Sequence, residues 1–302
     1  MNILITGATG FIGRHLVQRL KQDHHTIKVL SRDGMRASQK LDVPAYSWDY
    51  ATEEVPVEAL KNVQVIIHLM GENLGSGRWT DKRKREIYES RILSARKLVA
   101  AAPSSLECFI SASAIGIYPG QGDDVYDESY VVPDQGNFMQ TICRDWEKEA
   151  AYIESRGIRR VSIRTGIVLG DGGMLTKLLP LFKLGLGGPV GDGRQWLPWI
   201  HIHDLVSVYV AAAQNTRYRG PVNVVSPNPV RYRDFAITLG KTLHRPAFFP
   251  TPAVILKLAL GEAAALALNS YHIVPTKLMH AYGFEFKFTE LSAALENICG
   301  KS

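Results

Sequence analysis

Short apolar runs alternate with longer segments of helical periodicity over the first 170 residues of the chain. Asn2–Thr6 and Thr26–Ser31 predict strands, and Phe11–Gln22 between them repeats apolar residues every four positions along one helix face. Val63–Leu69 is almost uninterrupted by polar residues, as in a parallel strand covered on both sides. The alternation continues with helices predicted over Thr80–Ala102 and Phe138–Arg156 and strands over Cys108–Ala112 and Arg160–Leu169. This order predicts an α/β fold with a doubly wound parallel sheet.

The pattern changes after about residue 170. Gly172–Gly193 is rich in glycine and leucine, and a helix is predicted over Asp204–Gln214. From Arg231 onward, short helical patterns are separated by prolines, which interrupt helices. We therefore expect a sheet domain over residues 1–230 and a small, mostly helical C-terminal lobe over residues 231–302.

Composition excludes several classes of protein. The 302 residues are 46% hydrophobic and 21% charged, which is typical of a globular protein and excludes disordered or collagen-like chains. Lys and Arg number 35 against 29 Asp and Glu, a net charge of +6 that favours small anionic ligands. The basic helix that begins near Thr80 has interleaved acidic residues and no accompanying aromatic ladder, so we expect no nucleic-acid partner.

Cysteine spacing and hydropathy indicate the compartment. Cys108, Cys143 and Cys299 are far apart, which argues against a disulfide framework or a zinc site and favours a reducing compartment. The longest apolar segment, Ala253–Leu268, contains two charged residues and is shorter than the roughly 20 residues of a membrane span. Because Met1 also leads directly into a strand pattern, we expect no signal peptide, no membrane partner and a cytoplasmic location.

A glycine-rich turn follows the first predicted strand. Thr6–Gly13 has the sequence TGATGFIG and stands where the strand turns into a helix. In such turns Gly7 permits the tight turn, Gly10 lets the backbone approach a pyrophosphate, and Gly13 lets helix and strand pack closely. The free N–H groups of the helix N-terminus then face the phosphates. This arrangement predicts a dinucleotide site.

The end of the second predicted strand bears on the choice of cofactor. NAD-selective folds place Asp or Glu there to bind the ribose hydroxyls. This chain has Ser31 and Arg32, a hydroxyl and a guanidinium that suit the 2′-phosphate of NADP. We expect NADP, although the neighbouring Asp33 keeps NAD open as an alternative.

The G-x-x-G-x-x-G spacing of this turn resembles that of the extended short-chain dehydrogenases/reductases. Further segments are similar to the epimerase-like subgroup with an uncharacterised C-terminal domain, namely TGATGFIGRHL, LMGEN, GRWT, ESR, LGLGGPVGDGRQW and WIHIHDL. The resemblance implies a Rossmann-type fold, a substrate-side C-terminal lobe, and an NADP-dependent oxidoreductase or epimerase acting on a small molecule. It also implies cofactor contacts from Thr9, Phe11, Ile12, Leu69, Met70, Gly71, Glu86, Arg91 and Val168.

Members of this superfamily pair a Ser after the fifth strand with Tyr-x-x-x-Lys on the next helix, where the Tyr acts as acid and base. Ser113 stands at the Ser position, but none of the twelve tyrosines is followed by Lys four residues later. The missing pair falls near Phe138–Met139 and Ile142–Cys143. Another group would then have to move the proton, and Tyr118 and His201 are the candidates. A purely structural role stays open for Ser113 and for His201.

The run GDGRQWLPWIHIHD resembles the segment in which nucleotide-sugar enzymes use an Arg to hold a diphosphate. Leu197 occupies that position here and Arg194 is the only nearby substitute, so we expect a substrate that carries no nucleotide. Trp196 and Trp199 either line an apolar substrate pocket or pack in the core. His201 lies two residues from the next His on a predicted strand without a third ligand in view, so we expect no metal site.

The sequence is compatible with two functions. The first is an NADP-dependent oxidoreductase or epimerase for a small substrate. The second is an NADP-binding sensor or scaffold with little catalysis, which the missing Tyr-x-x-x-Lys pair favours. The sequence leaves the oligomeric state unassigned.

Overall fold

A computed structural model describes residues 1–300 of the chain. Within this range, seven parallel strands form the main sheet in the order β11-β7-β5-β4-β1-β2-β3, and three two-stranded pairs, β8–β10, β9–β12 and β6–β13, accompany it. The strands are β1 (Asn2–Thr6), β2 (Thr26–Ser31), β3 (Ala45–Ser47), β4 (Val65–His68), β5 (Cys108–Ala114), β6 (Val125–Tyr126), β7 (Arg159–Thr165), β8 (Ile167–Leu169), β9 (Trp196–Leu197), β10 (Trp199–His201), β11 (Gly220–Val224), β12 (Val230–Arg231) and β13 (His272–Ile273). The predicted parallel α/β sheet is confirmed.

Helices connect the strands and build the C-terminal part. They are α1 (Phe11–Gln22), α2 (Gly34–Leu41), α3 (Val57–Leu60), α4 (Asp81–Ala100), α5 (Phe138–Ala151), α6 (Gly173–Lys183), α7 (Ile202–Gln214), α8 (Tyr232–Thr242), α9 (Ala253–Leu260), α10 (Ala265–Leu268) and α11 (Leu291–Cys299). The bounds of α1, β1 and β2 coincide with the predicted ones. Among the elements that the sequence analysis did not single out are α6 and the edge strand β11, because glycine and proline dilute their apolar patterns.

The predicted strand Arg160–Leu169 is divided into β7 and β8 at Gly166. A Cβ atom at Gly166 would lie 2.5 Å from the carbonyl oxygen of Pro198, so the backbone approaches this neighbour too closely for a side chain. β7 stays in the main sheet, whereas β8 leaves it and pairs with β10. The break turns the chain out of the sheet toward the C-terminal part.

Successive side chains of the central strands point to opposite faces of the sheet, and both faces are buried. Ile3 and Ile5 of β1 pack on the side of α1 and α7, while Leu4 between them packs on the other side with Phe109 and Leu98. All of these side chains are at least 99% buried. Burial of each such side chain stabilises the fold by about 1.5–3 kcal/mol, which explains the almost continuous apolar runs of the strands.

The C-terminal part packs against the segment that follows β8. Leu169, Phe182 and Trp199 share one buried cluster with Phe235 of α8 and Leu295 of α11. The cluster thus spans both sides of residue 230, where the sequence analysis expected a domain boundary. The boundary itself stays a prediction.

Asp204 in the first turn of α7 holds the C-terminal segment to the sheet domain. Its side chain is 1% exposed, and its carboxylate oxygens accept hydrogen bonds from the backbone N–H groups of Lys287 at 3.0 Å and Phe288 at 2.9 Å. The N-cap of α7 is His201, so Asp204 is free to make this long-range contact.

We expect Asp204→Ala to lower the free energy of unfolding by about 2–5 kcal/mol, because two buried N–H groups lose their acceptor. Urea denaturation followed by circular dichroism measures this loss. The matched control is Asp234→Ala at a largely exposed position in the first turn of α8, with an expected change below about 0.5 kcal/mol. Equal effects of the two substitutions would contradict this role of Asp204.

Candidate functional site

A cavity of about 760 Å³ runs along the carboxyl ends of the central strands. In open parallel sheets this edge, where the strand order reverses, is the place at which ligands bind. The cavity is lined by Gly7, Thr9, Gly10, Phe11, Ile12, Gly13, Leu30, Ser31, Arg32, Asp49, Tyr50, Leu69, Met70, Gly71, Glu72, Asn73, Leu74, Ser90, Arg91, Ala112, Ser113, Ala114, Met139, Ile142, Cys143, Trp146, Thr165 and Tyr209. It therefore brings together thirteen of the residues that the sequence analysis selected, from the glycine-rich turn at one end to Ser113 at the other.

The glycine-rich turn has no room for side chains. Gly7 adopts a φ of +69°, in the left-handed region that favours glycine, and a Cβ atom there would lie 2.9 Å from the Leu69 backbone. At Gly13 the Cβ atom would lie 2.4 Å from the carbonyl oxygen of Gly7. The turn thus presents bare backbone and the N-terminus of α1 to the cavity, as a pyrophosphate requires. These features fit a dinucleotide.

The end of β2 presents a cation to the cavity. Arg32 is 78% exposed and lies 3.8 Å from the carboxylate of Glu72. Asp33, the acidic residue that kept NAD open, is the N-cap of α2, where its carboxylate accepts a hydrogen bond from the backbone N–H of Arg36 at 2.9 Å. The Asp33 carboxylate is therefore committed to the helix, whereas the Arg32 guanidinium is available to a ligand.

Arg91 of α4 is a buried cation in the cavity wall. Its guanidinium donates to the carbonyl oxygens of Ile87 at 2.9 Å and Glu72 at 3.0 Å, and lies 5.3 Å from the centre of the Trp146 ring. Among residues 1–300, no carboxylate forms a salt bridge with it. Burial lowers the pKa of Arg91 to about 10, so the group stays positively charged at neutral pH.

Two residues that the resemblance assigned to the cofactor lie outside the cavity lining. Glu86 is on the same helix as Arg91, but its carboxylate forms an ion pair with Arg83 at 3.1 Å. Val168 lies on β8 and packs against the apolar cluster beneath the sheet. Glu72, which the sequence analysis did not select, lines the cavity in place of Glu86 and forms an ion pair with the same arginine at 3.0 Å.

Ser113 lies at the other end of the cavity, where β5 ends. Its Oγ donates a hydrogen bond of 2.7 Å to Oε1 of Glu147 on α5. Arg164 of β7 holds that carboxylate with two hydrogen bonds of 2.8 and 2.9 Å. Because the only hydroxyl proton of Ser113 is directed to Glu147, the Ser113 oxygen offers the cavity lone pairs and acts as an acceptor.

The positions of the missing Tyr-x-x-x-Lys pair are occupied by groups that do not gain or lose a proton at neutral pH. Met139, Ile142 and Cys143 line the cavity, whereas Phe138 packs against Trp79. Burial raises the pKa of the Cys143 thiol to about 12, so it stays protonated. Met139, Ile142, Cys143 and Trp146 are separated by three, one and three positions, so they lie on one face of α5. This spacing can be read from the sequence.

Tyr118 is buried behind the cavity. Its hydroxyl lies 2.7 Å from Oδ1 of Asn223 and accepts a hydrogen bond from Arg164 at 3.0 Å, and the side chain is fully buried. Burial raises the pKa of Tyr118 to about 12. Tyr118 therefore does not line the cavity, and its hydroxyl is engaged in hydrogen bonds behind it.

His201 is also buried away from the cavity. Its Nδ1 accepts a hydrogen bond from the backbone N–H of His203 at 3.1 Å as the N-cap of α7, and its ring stacks on Phe288 at 3.9 Å. Burial lowers the pKa of His201 to about 4, so the ring is neutral at pH 7. His201 is 3% exposed and lines neither the main cavity nor the chamber described next.

A smaller apolar chamber of about 180 Å³ adjoins the Ser113 end of the cavity. The two spaces share Leu74, Ala114, Met139 and Thr165, and the chamber is further lined by Ile115, Gly116, Gly166, Ile167, Gln195, Trp196, Leu197, Pro198, Ala265, Leu266, Ala267, Asn269 and Tyr271. Trp196 is therefore part of a pocket, while Trp199 is fully buried in the core. The chamber has room for a small apolar group next to Ser113.

Among residues 1–300, no group of three or more His, Cys, Asp or Glu side chains is placed to hold a metal ion. Within this range, every helix is too short or too polar to cross a bilayer.

Known proteins resemble this chain over its whole length. A family model described as the NAD dependent epimerase/dehydratase family matches residues 3–225, and a domain of unknown function (DUF1731) matches residues 251–298. The chain is 37% identical to the chloroplastic homolog of epimerase family protein SDR39U1 from Arabidopsis thaliana, over 99% of this chain and 86% of that protein. It is 36% identical to epimerase family protein YfhF of Bacillus subtilis, over 99% of this chain and 98% of that protein. The crystal structure of human epimerase family protein SDR39U1 (isoform 2) with NADPH is similar with a TM-score of 0.89, at 31% identity over 100% of both chains.

The buried, neutral state of His201 makes stability depend on pH. Between about pH 6.5 and pH 4 the unfolded chain binds a proton at this ring and the folded chain does not. The free energy of unfolding therefore falls as the pH is lowered, by about 2 kcal/mol at pH 5 for this residue. His201→Asn keeps an N-cap acceptor and removes the titration.

Urea denaturation at pH 7 and pH 5 measures this effect. We expect the loss of stability between these pH values to be about 2 kcal/mol smaller in His201→Asn than in the wild type. The control is His24→Asn at an exposed position with a φ of +57°, which Asn tolerates, and it should leave the pH dependence unchanged. An unchanged pH dependence in His201→Asn would show that the ring is not buried in its neutral form.

Proposed function

Because the chain belongs to the NAD dependent epimerase/dehydratase family, we propose that it is an NADP-dependent oxidoreductase or epimerase for a small substrate that carries no nucleotide. One observation carries the proposal. A single cavity connects the glycine-rich turn with Arg32 and with Ser113, and an apolar chamber adjoins it at Ser113. Such an arrangement has room for a dinucleotide along the strand ends and for a substrate beside its reactive end.

Preference for NADP is supported by the charges at the end of β2. The Arg32 guanidinium can reach a 2′-phosphate, and Ser31 beside it offers a hydroxyl, while Asp33 is committed to capping α2. The human relative was crystallised with NADPH, which is in keeping with this assignment. Arg91 adds a buried positive charge in the cavity wall near the middle of the site.

Ser113 would bind and orient the substrate. When bound, NADP supplies or accepts a hydride. Since the Ser113 proton is directed to Glu147, the Ser113 oxygen accepts a hydrogen bond and so selects a substrate hydroxyl over a carbonyl. Arg164 keeps the Glu147 carboxylate in place, because the pair is held by two hydrogen bonds in a nearly dry environment.

A substrate without a nucleotide is supported by the apolar chamber. Leu197, at the position of the diphosphate-binding Arg, is 6% exposed and lines this chamber. One observation favours a nucleotide-linked substrate instead. Beyond Gln195 lies a polar cavity of about 510 Å³ with three arginines, Arg194, Arg231 and Arg233. Saturable binding of a UDP-sugar in calorimetry would favour that alternative.

The second candidate is an NADP-binding sensor that does little chemistry. It is favoured by Met139 and Cys143, which leave the usual acid and base positions without a proton carrier. A panel of small apolar alcohols and aldehydes distinguishes the candidates, since NADPH consumption or formation with any of them requires an enzyme. The expected cytoplasmic location stays a prediction, and one relative is named as chloroplastic.

Removal of the cation at the end of β2 tests the cofactor assignment. We expect Arg32→Ala to weaken NADPH binding tenfold to a hundredfold. This factor corresponds to about 1.5–3 kcal/mol, the contribution of a hydrogen bond to a charged group. NADH binding should change little. The control is Arg85→Ala, an exposed arginine of α4 outside the cavity lining. Equal losses for both nucleotides in calorimetry would refute the preference for NADP.

Two substitutions separate an active-site role from a structural one. With an accepted substrate, Ser113→Ala should lower kcat by about 10²-fold at unchanged NADPH affinity, because the substrate loses its orienting contact. Tyr118→Phe should leave kcat within about threefold and lower the free energy of unfolding by about 1–3 kcal/mol, since buried partners lose a hydrogen bond. If Tyr118→Phe abolishes turnover without loss of stability, Tyr118 is the proton donor.

A further inference from the structure

The helix α9 is apolar, and although Leu256 and Leu260 pack against the protein, none of its residues is fully buried. Its sequence is AVILKLAL, and each of its eight residues is classed as partly or fully exposed. Val254, Ile255 and Leu258 are 67%, 57% and 71% exposed. A helix that is apolar all round normally lies inside a protein or a membrane, so exposure of this one is costly unless a partner covers it.

Further exposed apolar residues lie beside α9. The chain before α9 runs along the segment that follows α6, because the Thr251 N–H donates to the Pro189 carbonyl at 2.8 Å and the Gly191 N–H donates to the Thr251 carbonyl at 2.9 Å. These two segments add exposed apolar side chains to those of α9, namely Leu181, Leu184, Leu186, Phe248 and Phe249. We call these residues, together with Val254, Ile255 and Leu258, the apolar face.

Positive charges predominate around the apolar face, and the acidic residues Asp192, Asp234 and Glu262 lie just beyond the ends of the segments that carry it. The segments 173–191 and 235–261, which carry the face, contain no Asp or Glu, although about one residue in ten of the whole chain is acidic. They contain five cations, Lys177, Lys183, Lys241, Arg245 and Lys257, all of them at exposed positions. The face therefore combines apolar side chains with an excess of positive charge.

The combination of apolar side chains and positive charge determines which partner can cover the apolar face. A second copy of the chain, packed face to face, would bring two sets of cations together with carboxylates only at the edges of the face. An anionic lipid surface offers acyl chains to the apolar residues and phosphate groups to the cations. We propose that the apolar face docks the protein on an anionic lipid bilayer.

Docking of this kind is peripheral and does not depend on the proposed function. The sequence analysis excluded a membrane partner because no segment is long enough to span a bilayer, but an interfacial helix needs no span. α10, which lines the apolar chamber through Ala265, Leu266 and Ala267, follows α9 after one short turn. The docked face would therefore lie beside the wall of the chamber.

Co-sedimentation of the full chain with vesicles tests the proposal. We expect the protein to sediment with vesicles of phosphatidylcholine and phosphatidylglycerol, to stay in solution with phosphatidylcholine alone, and to be released by added salt. Phe248→Ser combined with Leu258→Ser should weaken binding at least tenfold, since two inserted side chains are lost. Lys183→Glu combined with Lys257→Glu should weaken it by more than about fivefold per site.

Matched controls are available elsewhere on the surface. Val57→Ser with Val131→Ser removes two apolar side chains that are 79% and 86% exposed, and Lys82→Glu with Lys148→Glu reverses two exposed lysines of α4 and α5. Both controls should bind vesicles like the wild type, and an unchanged urea denaturation midpoint in all variants shows that the fold is intact.

Three outcomes would overturn the proposal. One is equal binding to neutral and anionic vesicles, and another is binding to neither. The third is a wild-type dimer in analytical ultracentrifugation that Phe248→Ser with Leu258→Ser dissociates, which would make a second copy the occupant of the face.

Discussion

A buried ion pair between Glu147 and Arg164 determines what the candidate site can do. Two hydrogen bonds join the side chains, which are 12% and 4% exposed, and so connect α5 with β7. Burial of two charges is costly, and it is offset here by good geometry and by further partners, with Ser113 on the carboxylate and Tyr118 on the guanidinium. Removal of either charge would leave the other buried without a counter-ion. The pair thus fixes two hydroxyl groups. Ser113, at the cavity, donates to the carboxylate, and Tyr118, behind the cavity, accepts from the guanidinium.

This ion pair changes the chemistry that the family resemblance implies. A pKa-lowered Tyr normally handles the proton, but Met139 and Cys143 occupy the corresponding helix face. Positive charge near the cofactor comes instead from α4, where Arg91 lies in the cavity wall without a carboxylate partner among residues 1–300. Because Ser113 acts as an acceptor, the simplest substrate is one that bears a hydroxyl group. The proton released in the reaction would then pass to solvent or to a group on the substrate.

The C-terminal part serves both proposed surfaces. Its first helices complete the core around Trp199, and α10 closes the apolar chamber next to Ser113. The preceding helix, α9, adds Leu256 to that core but turns Val254, Ile255 and Leu258 outward. A domain of this size has enough buried surface for stability without them, so their exposure is consistent with a functional surface.

The order of strands and helices, the glycine-rich turn and the cation at the end of β2 followed from the sequence, because each depends on residues that are close together in the chain. The apolar runs specify buried strands, and Gly7 and Gly13 stand where no Cβ atom fits. The roles of Ser113, Tyr118 and His201 could not be obtained in this way. A hydroxyl or imidazole acts through its hydrogen-bond partners, and the partners here, Glu147, Asn223 and Phe288, come from distant elements that only the folded sheet brings together.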